Sequence, residues 1–201
     1  MTAPDDRGRF IVLDGIDGCG KTTQAERLVQ ELGALHLREP GSTSIGERIR
    51  ELLLGRQYKM GPEVETLLFA SARRQMLDEL VEPALAAGRH VVCERFHPST
   101  YAYQAVAGDL DEDTVLGLLV TWAGTPRPDL VIILDVDPEQ AAARRGASTD
   151  RIEDKGGDFQ KRVAEGYRRY AERAAGVRVV DGDASADVVA ARVSEEARRV
   201  L

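Results

Sequence analysis

Asparagine is absent from the 201 residues of this chain, and cysteine occurs only twice. Without asparagine the chain cannot carry the Asn-Lys-x-Asp motif that reads guanine nucleotides, so GTPase-like switch proteins are excluded. Cys19 and Cys93 show no metal-ligand spacing, which favours reduced thiols over a disulfide or a zinc site. The two cysteines therefore indicate no chemistry.

Positive charge is not in excess, and long apolar runs are missing. The formal net charge is -7 at pH 7, which argues against broad binding to nucleic acid because such binding requires a basic face or tail. The longest apolar runs are far shorter than a membrane span, and the stretch from Asp5 to Arg9 has no signal-peptide core. We therefore expect a cytoplasmic protein that binds neither nucleic acid nor a membrane.

A glycine-rich stretch directly follows the apolar run Phe10-Ile11-Val12-Leu13. It reads Gly15-Ile16-Asp17-Gly18-Cys19-Gly20-Lys21-Thr22 and matches the spacing G-x-x-x-x-G-K-[ST] of a phosphate-binding loop. In such a loop the backbone N–H groups converge on phosphate oxygens, and the following helix directs its positive end at the same anion. Lys21 then supplies a mobile positive charge, and the hydroxyl of Thr22 suits Mg²⁺. An ordinary glycine-rich turn is the disfavoured alternative.

Apolar strands alternate with helices along the chain. The predicted strands are 10–13, 34–37, 90–93, 130–134 and 177–180. Nearly continuous apolar strands separated by helices indicate a parallel sheet covered on both faces. We therefore predict a three-layer α/β P-loop NTPase fold with a five-stranded parallel sheet. A length of 201 residues and a hydrophobic content of 43% fit one domain over residues 1–201.

Helices are predicted from apolar residues at helical spacing and from capping signals. They span 22–32, 45–54, 62 to at least 81, 111–122, 138–145, 158 onward with Asp158 as the N-cap, and 185 to the C-terminus. The predicted buried side of the long helix consists of Val64, Leu67, Leu68, Ser71, Leu77 and Leu80.

Glu94 and Arg95 directly follow the third predicted strand. Ligands of an open parallel sheet bind outside the carboxyl ends of its strands, so this pair is expected beside the phosphate-binding loop. There, contacts to metal and phosphate are favoured over a simple ion pair between the two residues. His97 precedes a proline in a predicted loop, and we interpret it as structural or solvent-facing rather than catalytic.

Phe69 and Arg73 stand one helical turn apart in the long helix. This spacing places a ring and a guanidinium side by side, where they could stack on a planar base and hydrogen-bond its edge. A core phenylalanine beside a surface arginine has the same spacing, and spacing alone favours that alternative.

The segment 144–157 is small, charged and rich in glycine. It carries Arg144, Arg145 and Arg151, and arginines that flank a hinge in a phosphate-loop protein suit closure over a triphosphate. We therefore predict a mobile lid, with a disordered surface loop as the alternative.

Four motifs together resemble those of the bacterial thymidylate kinases, within the P-loop nucleoside monophosphate kinases. They are the phosphate-binding loop with Asp17, the turn Arg38-Glu39-Pro40-Gly41, the segment from Glu94 to Gln104, and the lid end Asp150-Arg151-Ile152-Glu153. The likeness runs from the first strand into the helix after the lid. It implies in-line transfer of the γ-phosphate of ATP to dTMP with Mg²⁺, giving dTDP.

The resemblance also implies roles for individual residues. The contacts to ATP would be made by Gly15, Asp17, Gly18, Cys19, Gly20, Lys21, Thr22 and Thr23. The contacts to dTMP would be made by Asp17, Arg38, Arg50, Phe69, Arg73, Arg95, Thr100, Tyr103 and Gln104. The catalytic residues would be Lys21, Arg95, Arg145 and Arg151, and the metal would be held by Thr22 and Glu94.

Within the acceptor set, the implied roles are specific. Phe69 would stack on thymine, while Arg73 and Gln104 would read the edge of the base. Asp17 would approach the 3′-hydroxyl of the sugar, and Tyr103 would pack where a 2′-hydroxyl would otherwise sit.

Two positions depart from the family pattern. Glu94 stands where the family usually has Asp, and Ser42 stands where it often has a second glycine. The Glu-Arg pair also resembles that of the deoxynucleoside kinases, so these enzymes and other nucleoside monophosphate kinases are the alternatives. A neutral nucleoside would leave the arginines at 38, 50 and 95 without a phosphate to bind. This argues against a deoxynucleoside kinase.

Position 18 is glycine, so the loop does not supply the catalytic arginine that some family members carry there. The lid is then expected to supply it. The resemblance also implies a homodimer, formed through long helices such as the one predicted from Pro62 to Val81.

Overall fold

The computed structural model of the chain describes residues 7–147 and 150–201, so residues 148 and 149 of the predicted lid lie outside it. The strands are β1 (Phe10–Asp14), β2 (Leu35–Arg38), β3 (Val91–Glu94), β4 (Leu130–Asp135) and β5 (Val177–Asp181). They form one parallel sheet in the order β2-β3-β1-β4-β5. Every strand boundary lies within one residue of its prediction, and the predicted five-stranded parallel sheet is confirmed.

Helices flank this sheet. They are α1 (Lys21–Leu32), α2 (Ser44–Leu54), α3 (Pro62–Met76), α4 (Glu82–Ala86), α5 (His97–Thr100), α6 (Glu112–Ala123), α7 (Pro138–Arg145), α8 (Gly157–Arg173) and α9 (Ala186–Arg198). A π-helical turn, Leu77–Val81, joins α3 to α4, and a second one, Tyr101–Val106, continues α5. The long helix predicted from Pro62 to at least Val81 is therefore confirmed.

The register of the sheet brings the predicted site residues to one edge. Glu94 at the end of β3 pairs with Arg38 at the end of β2 and with Leu13 near the end of β1. The phosphate-binding loop begins directly after β1. Because parallel strands end at the same edge, the topology places Glu94 and the following Arg95 beside the loop.

The predicted buried side of the long helix is wrong for its first turns. Val64 and Leu67 are 48% and 56% exposed, whereas Glu65 and Arg73 are completely or almost completely buried. The interior of the protein at α3 is a polar site in which charged side chains are paired. Hydrophobic periodicity assigns charged residues to the surface. It therefore predicted that the opposite face of α3 is the buried one.

Two smaller predictions need correction. Asp158 is not the N-cap of α8, because the helix already begins at Gly157 and Gly156 precedes it. His97 does not lie in a loop but begins α5. Its Nε2 atom lies 2.8 Å from the carbonyl oxygen of Ala123, and its ring stacks on Phe96 at 4.3 Å between centroids. The structural interpretation of His97 is confirmed.

Both cysteines are free and buried, and burial raises the pKa of the Cys19 and Cys93 thiols. Across residues 7–147 and 150–201, no helix combines the length and the apolar character that a membrane crossing needs.

Candidate active site

The phosphate-binding loop packs closely against α7. Gly18 has a left-handed backbone with φ of 90°, and a Cβ atom placed there would lie 2.0 Å from the carbonyl oxygen of Ala141. Only glycine permits this approach. Gly20, with φ of 93°, ends the loop, and α1 begins at Lys21. The glycines thus set the path of the loop and bring the N-terminus of α1 to the site.

Asp17 gathers two cations at the tip of the loop. Its Oδ1 atom accepts a hydrogen bond from the guanidinium of Arg95 and lies 3.2 Å from Nζ of Lys21. The hydroxyl of Tyr103 donates to Oδ2 over 2.8 Å. Burial alone would raise the pKa of Asp17, but the charges of Arg95 and Lys21 outweigh it and hold that pKa well below its usual value. Asp17 is therefore an anion that positions two cations.

The backbone of Arg95 is held in a conformation that favours glycine, with φ of 67°. Its N–H donates to the carbonyl oxygen of Leu13 over 2.9 Å, which ties the residue to the end of β1. Such strain recurs at functional sites, where the surrounding contacts maintain it. Here the backbone of Arg95 is bonded to the end of β1 while its side chain pairs with Asp17 of the loop.

Thr22 and Glu94 join the loop to β3. The Oγ1 atom of Thr22 donates to Oε2 of Glu94 over 2.5 Å. The second carboxylate oxygen of Glu94 lies 2.9 Å from Nε2 of His36 on β2. Because Arg95 pairs with Asp17, the simple Glu94–Arg95 ion pair considered from the sequence is not present.

A cavity of about 600 Å³ opens beside the loop. Its lining includes every residue predicted for the acceptor, namely Asp17, Arg38, Arg50, Phe69, Arg73, Arg95, Thr100, Tyr103 and Gln104. Of the residues predicted for ATP, it includes Asp17, Gly18, Gly20, Lys21, Thr22 and Thr23. Gly15 and Cys19 do not line it. One space thus brings the loop and the predicted acceptor residues together.

Two arginines at this cavity stand out because the described chain gives them no ion-pair partner. Within the described part of the chain, neither Arg38 nor Arg50 forms an ion pair, and Arg50 instead donates to the carbonyl oxygen of Pro40 over 3.0 Å. Burial and the nearby charge of Arg38 lower the pKa of Arg50. Placing two cations together is unfavourable without an anion, so this corner of the cavity suits a phosphate group.

Arg73 is 1% exposed, which rejects the interpretation of it as a surface residue. Its Nε and Nη2 atoms donate to the buried carboxylate of Glu39 over 2.5–2.9 Å, and Nη2 also lies 3.1 Å from the hydroxyl of Thr100. Burial raises the pKa of Glu39 to about 7, against the opposing charge of Arg73. The Nη1 atom of Arg73 has no partner among the described residues. Arg73 thus lines the cavity and keeps one N–H donor atom that the described chain does not use.

Comparison with known proteins agrees with this geometry. A family model described as thymidylate kinase matches residues 13–193. The chain belongs to the thymidylate kinase family. A thymidylate kinase from Caldanaerobacter subterraneus subsp. tengcongensis is 43% identical over 171 residues, which cover 81% of each chain. One from Pelotomaculum thermopropionicum is 40% identical over 205 residues, covering 97% of this chain and 95% of that one.

A third relative, the thymidylate kinase of Alkalilimnicola ehrlichii, is 44% identical over 176 residues, covering 83% of this chain and 81% of the other. The resemblance that rested on four short motifs thus extends over nearly the whole chain and is confirmed.

The thymidylate kinase pattern often has a glycine where this chain has Ser42, and the backbone there shows why. Ser42 adopts a left-handed conformation with φ of 68°, which glycine reaches without a Cβ penalty. The serine offsets this cost with local hydrogen bonds. Its Oγ atom lies 2.9 Å from the backbone N of Arg38 and 3.1 Å from the Arg38 carbonyl oxygen, and its own N–H donates to Glu47 over 3.0 Å.

The structure separates the three lid arginines, which the sequence did not. Arg145 lines the cavity, and its Nε atom is buried without a partner among the described residues. Arg144 also lines the cavity but donates to the carbonyl oxygen of Gly182 over 2.9 Å. Arg151 does not line it and binds Glu65 instead, over 2.7 Å. Of the three, Arg145 alone combines a place at the cavity with a buried guanidinium nitrogen that has no partner in the described chain.

Asp14 is the main site residue that the sequence reasoning missed. It is completely buried at the end of β1. Its carboxylate accepts hydrogen bonds from the backbone N of Phe96 and of Ser99, both over 3.0 Å, and from the hydroxyl of Tyr167 over 2.8 Å. It thereby fastens the segment after β3 and helix α8 to the start of the loop. An aspartate ending an otherwise apolar strand was the available signal.

His36 was also missed, and the sequence offered no signal for it. It lies on β2, a short strand at the edge of the sheet, and only the pairing of β2 with β3 brings its ring to Glu94.

Proposed function

We propose that this chain transfers the γ-phosphate of ATP to dTMP in the presence of Mg²⁺, giving dTDP. The observation that carries the proposal is the single cavity that joins the phosphate-binding loop to Arg38 and Arg50, two arginines without an ion-pair partner in the described chain. A donor nucleotide on the loop and an acceptor phosphate on these arginines would face each other across that cavity.

The acceptor half of the cavity suits a pyrimidine deoxynucleotide. Phe69 offers a ring for stacking, while Arg73 and Gln104 offer polar atoms for the edge of the base. Tyr103 is held by Asp17 and lies with its ring 5.5 Å from the guanidinium carbon of Arg95. A rigid aromatic side chain in that place would restrict the sugar to one without a 2′-hydroxyl.

The metal proposal rests on the donor atoms that the site presents. The hydroxyl of Thr22 and the carboxylate of Glu94 lie together, and oxygen donors of this kind suit Mg²⁺. Thr22 would hold the ion directly, and Glu94 would hold it directly or through its water shell. The bound ion would neutralise charge on the ATP phosphates.

The acceptor atom is an anionic phosphate oxygen, so the transfer requires no strong general base. Positioning and charge neutralisation then account for most of the rate enhancement. Lys21 and Arg95 would supply positive charge to the transferring group, and both are aimed by their contacts with Asp17. Arg145 would add a third positive charge from the end of α7.

We further propose that the described residues of the predicted lid, 144–147 and 150–157, belong to a mobile lid within a single domain. Arg145 is already at the cavity, whereas Arg151 would have to leave Glu65 before it could reach a phosphate. The catalytic assignment of Arg151 therefore stays a prediction that depends on lid movement.

We propose a homodimer from the exposed apolar side chains on α2, α3 and α6, since α3 packs against both α2 and α6. These side chains are Ile45, Leu52, Val64, Leu67, Val120 and Trp122, with exposures of 39–70%. We infer that a second copy of the chain covers them. In sedimentation experiments Leu67→Glu should weaken the dimer, while Val188→Glu on α9 should not. A wild-type protein that stays monomeric at micromolar concentration would contradict the dimer.

A screen of nucleoside and nucleotide acceptors with ATP and Mg²⁺ tests the proposed reaction. We expect turnover with dTMP and little or none with thymidine, because thymidine has no phosphate for Arg38 and Arg50. If turnover were faster with thymidine than with dTMP, the deoxynucleoside kinase alternative would be favoured. If it were faster with another nucleoside monophosphate than with dTMP, that monophosphate would be the preferred acceptor. Cytoplasmic location stays a prediction from the sequence.

A further inference from the structure

Glu65 connects the predicted lid with the predicted base pocket, which consists of Phe69, Arg73 and Gln104. It lies in the first turn of α3 and is completely buried. Its Oε2 atom accepts a hydrogen bond from Nε2 of Gln104 over 2.9 Å. Its Oε1 atom accepts from Nη1 of Arg151 over 2.7 Å, and Nζ of Lys155 lies 3.2 Å from Oε1 and 3.3 Å from Oε2. One carboxylate thus binds three donors.

The two cations make this buried carboxylate tolerable. Removing a lone carboxylate from water is strongly unfavourable, and paired cations with good geometry offset that cost. Arg151 is itself fixed, because its Nη2 donates to the carbonyl oxygen of Leu53 over 2.8 Å. The position of Glu65 is therefore set by α3 and by the C-terminal part of the predicted lid.

The carboxylate determines which way the amide of Gln104 faces. An ionised carboxylate only accepts hydrogen bonds, so Gln104 must present its NH₂ group to Glu65. Gln104 also lines the cavity. The atom that it has left for a ligand is its carbonyl oxygen, which is an acceptor.

Arg73 supplies the opposite kind of group at the same cavity, since its Nη1 atom is a donor without a partner in the described chain. A donor from Arg73 and an acceptor from Gln104, offered to one cavity, would match a base edge that carries a carbonyl next to an N–H. Thymine and uracil have this edge. Cytosine has an amino group next to an unprotonated ring nitrogen. Its amino donor would face the donor of Arg73, and its ring-nitrogen acceptor would face the carbonyl oxygen of Gln104.

We propose that Glu65 is a positioning residue for base selection, which holds the amide of Gln104 so that the pocket accepts an imide edge and rejects cytosine. The inference rests on the proposed function, because it concerns the acceptor of that reaction. Glu65 itself does not line the cavity and acts only through Gln104.

The experiment compares Glu65→Gln with the wild type in kcat/KM for dTMP and for dCMP, and in inhibition of dTMP turnover by dCMP. The substituted amide can donate as well as accept, so it no longer holds Gln104 in one orientation. We expect the preference for dTMP over dCMP to fall by about tenfold, the value of one hydrogen bond. Glu63→Gln is the matched control, because it removes the same charge from an exposed site in the same helical turn and should leave the preference unchanged.

Two further variants separate positioning from a purely structural role. In a Gln104→Met background, Glu65→Gln should cause no further loss of preference, because the amide that it orients is gone. If Glu65→Gln does not fold, Glu65→Asp keeps the charge for Arg151 and Lys155 while withdrawing the carboxylate from Gln104, and it should lower the preference by a smaller factor.

The outcomes are distinct. Folded Glu65 variants that lose activity towards both acceptors equally, or that show no gain in use of dCMP or in inhibition by it, overturn the inference. A wild-type enzyme that does not phosphorylate dTMP contradicts the proposed function itself.

Discussion

The hydroxyl of Thr22 lies 2.5 Å from Oε2 of Glu94, so one hydrogen bond joins the phosphate-binding loop to the end of β3. The two residues are far apart in the sequence and meet because β1 and β3 are neighbours in the sheet. Glu94 stands where the family usually has the shorter Asp. Its extra methylene lets the carboxylate span from β3 to Thr22 while its other oxygen contacts His36.

We predict that Glu94→Gln lowers kcat and raises the Mg²⁺ concentration that gives half-maximal rate. The substitution keeps the shape of the side chain but removes the charge that would order the ion or its waters. Glu94→Asp should have a milder effect. The measurement is a Mg²⁺ titration at saturating ATP and dTMP. Glu26→Gln is the matched control, since it removes a charge from an exposed site on α1, one helical turn after Thr22.

If the Mg²⁺ titration curve of Glu94→Gln is not shifted from that of the wild type, Glu94 has no role in binding the metal.

Lys21→Ala should abolish nearly all turnover, with kcat falling by more than about a hundredfold. The ammonium of Lys21 is expected to neutralise the β- and γ-phosphates of ATP. The neighbouring Asp17 is an anion and cannot replace that positive charge. The rate of dTDP formation measures the effect, and thermal unfolding confirms that the variant is folded. Lys161→Ala, on an exposed face of α8, serves as the control. Retention of activity within a few-fold of wild type would contradict this role.

Arg73→Lys should weaken the use of dTMP by roughly 1–3 kcal/mol in kcat/KM and leave the KM for ATP nearly unchanged. Lysine keeps a positive charge beside the buried Glu39 but lacks the second branch of the guanidinium, including the free Nη1 atom. Alanine would be a poor choice, because it would leave Glu39 buried and unpaired. Arg74→Lys, at the neighbouring and more exposed arginine, is the control. If the two variants had equal kcat/KM for dTMP, Arg73 would not contribute to binding of the base.

Among the lid arginines, Arg145→Ala should lower kcat most, by about a hundredfold or more. Arg145 combines a place at the cavity with an unpartnered Nε, whereas Arg144 is bound to Gly182. Arg151→Ala should lower kcat only if closure of the lid releases Arg151 from Glu65. Steady-state kinetics of the single and triple alanine variants show which of the three arginines contributes to kcat. Normal kcat in all of them would show that the lid is not catalytic.

The buried His97 should make the fold sensitive to acid. Burial lowers its pKa from 6.5 to about 3. Above pH 6.5 the folded and unfolded states both hold a neutral ring; as the pH falls below 6.5, only the unfolded state takes up a proton, so stability is lost. At about pH 5 this loss should reach about 2 kcal/mol.

The measurement is urea unfolding of the wild type and of His97→Gln between about pH 7.5 and pH 5. The amide can still donate to the carbonyl oxygen of Ala123, but it does not titrate. The free energy of unfolding should therefore fall less steeply for the variant, whatever its stability at neutral pH. Equal slopes for the two proteins would contradict a depressed pKa of His97.

Local patterns were sufficient to predict the strands and the phosphate-binding loop. β1 is apolar because it is buried on both faces, and Gly18 and Gly20 stand where the backbone needs a positive φ. Such features depend on neighbours in the sequence, which is why short-range spacing reveals them. The order of motifs along the chain was likewise sufficient for the family.

The tertiary structure alone decided how charges are shared within the site. The sequence does not say that Arg95 pairs with Asp17, that Glu94 contacts His36, or that Glu65 binds a base-reading residue together with the end of the lid. Hydrophobic periodicity even placed the buried face of α3 on the wrong side, because a buried carboxylate with paired cations resembles a surface residue when it is read without its partners. These pairings join segments that are distant in the chain, and their energies depend on burial and distance, which only the folded arrangement of strands and helices sets.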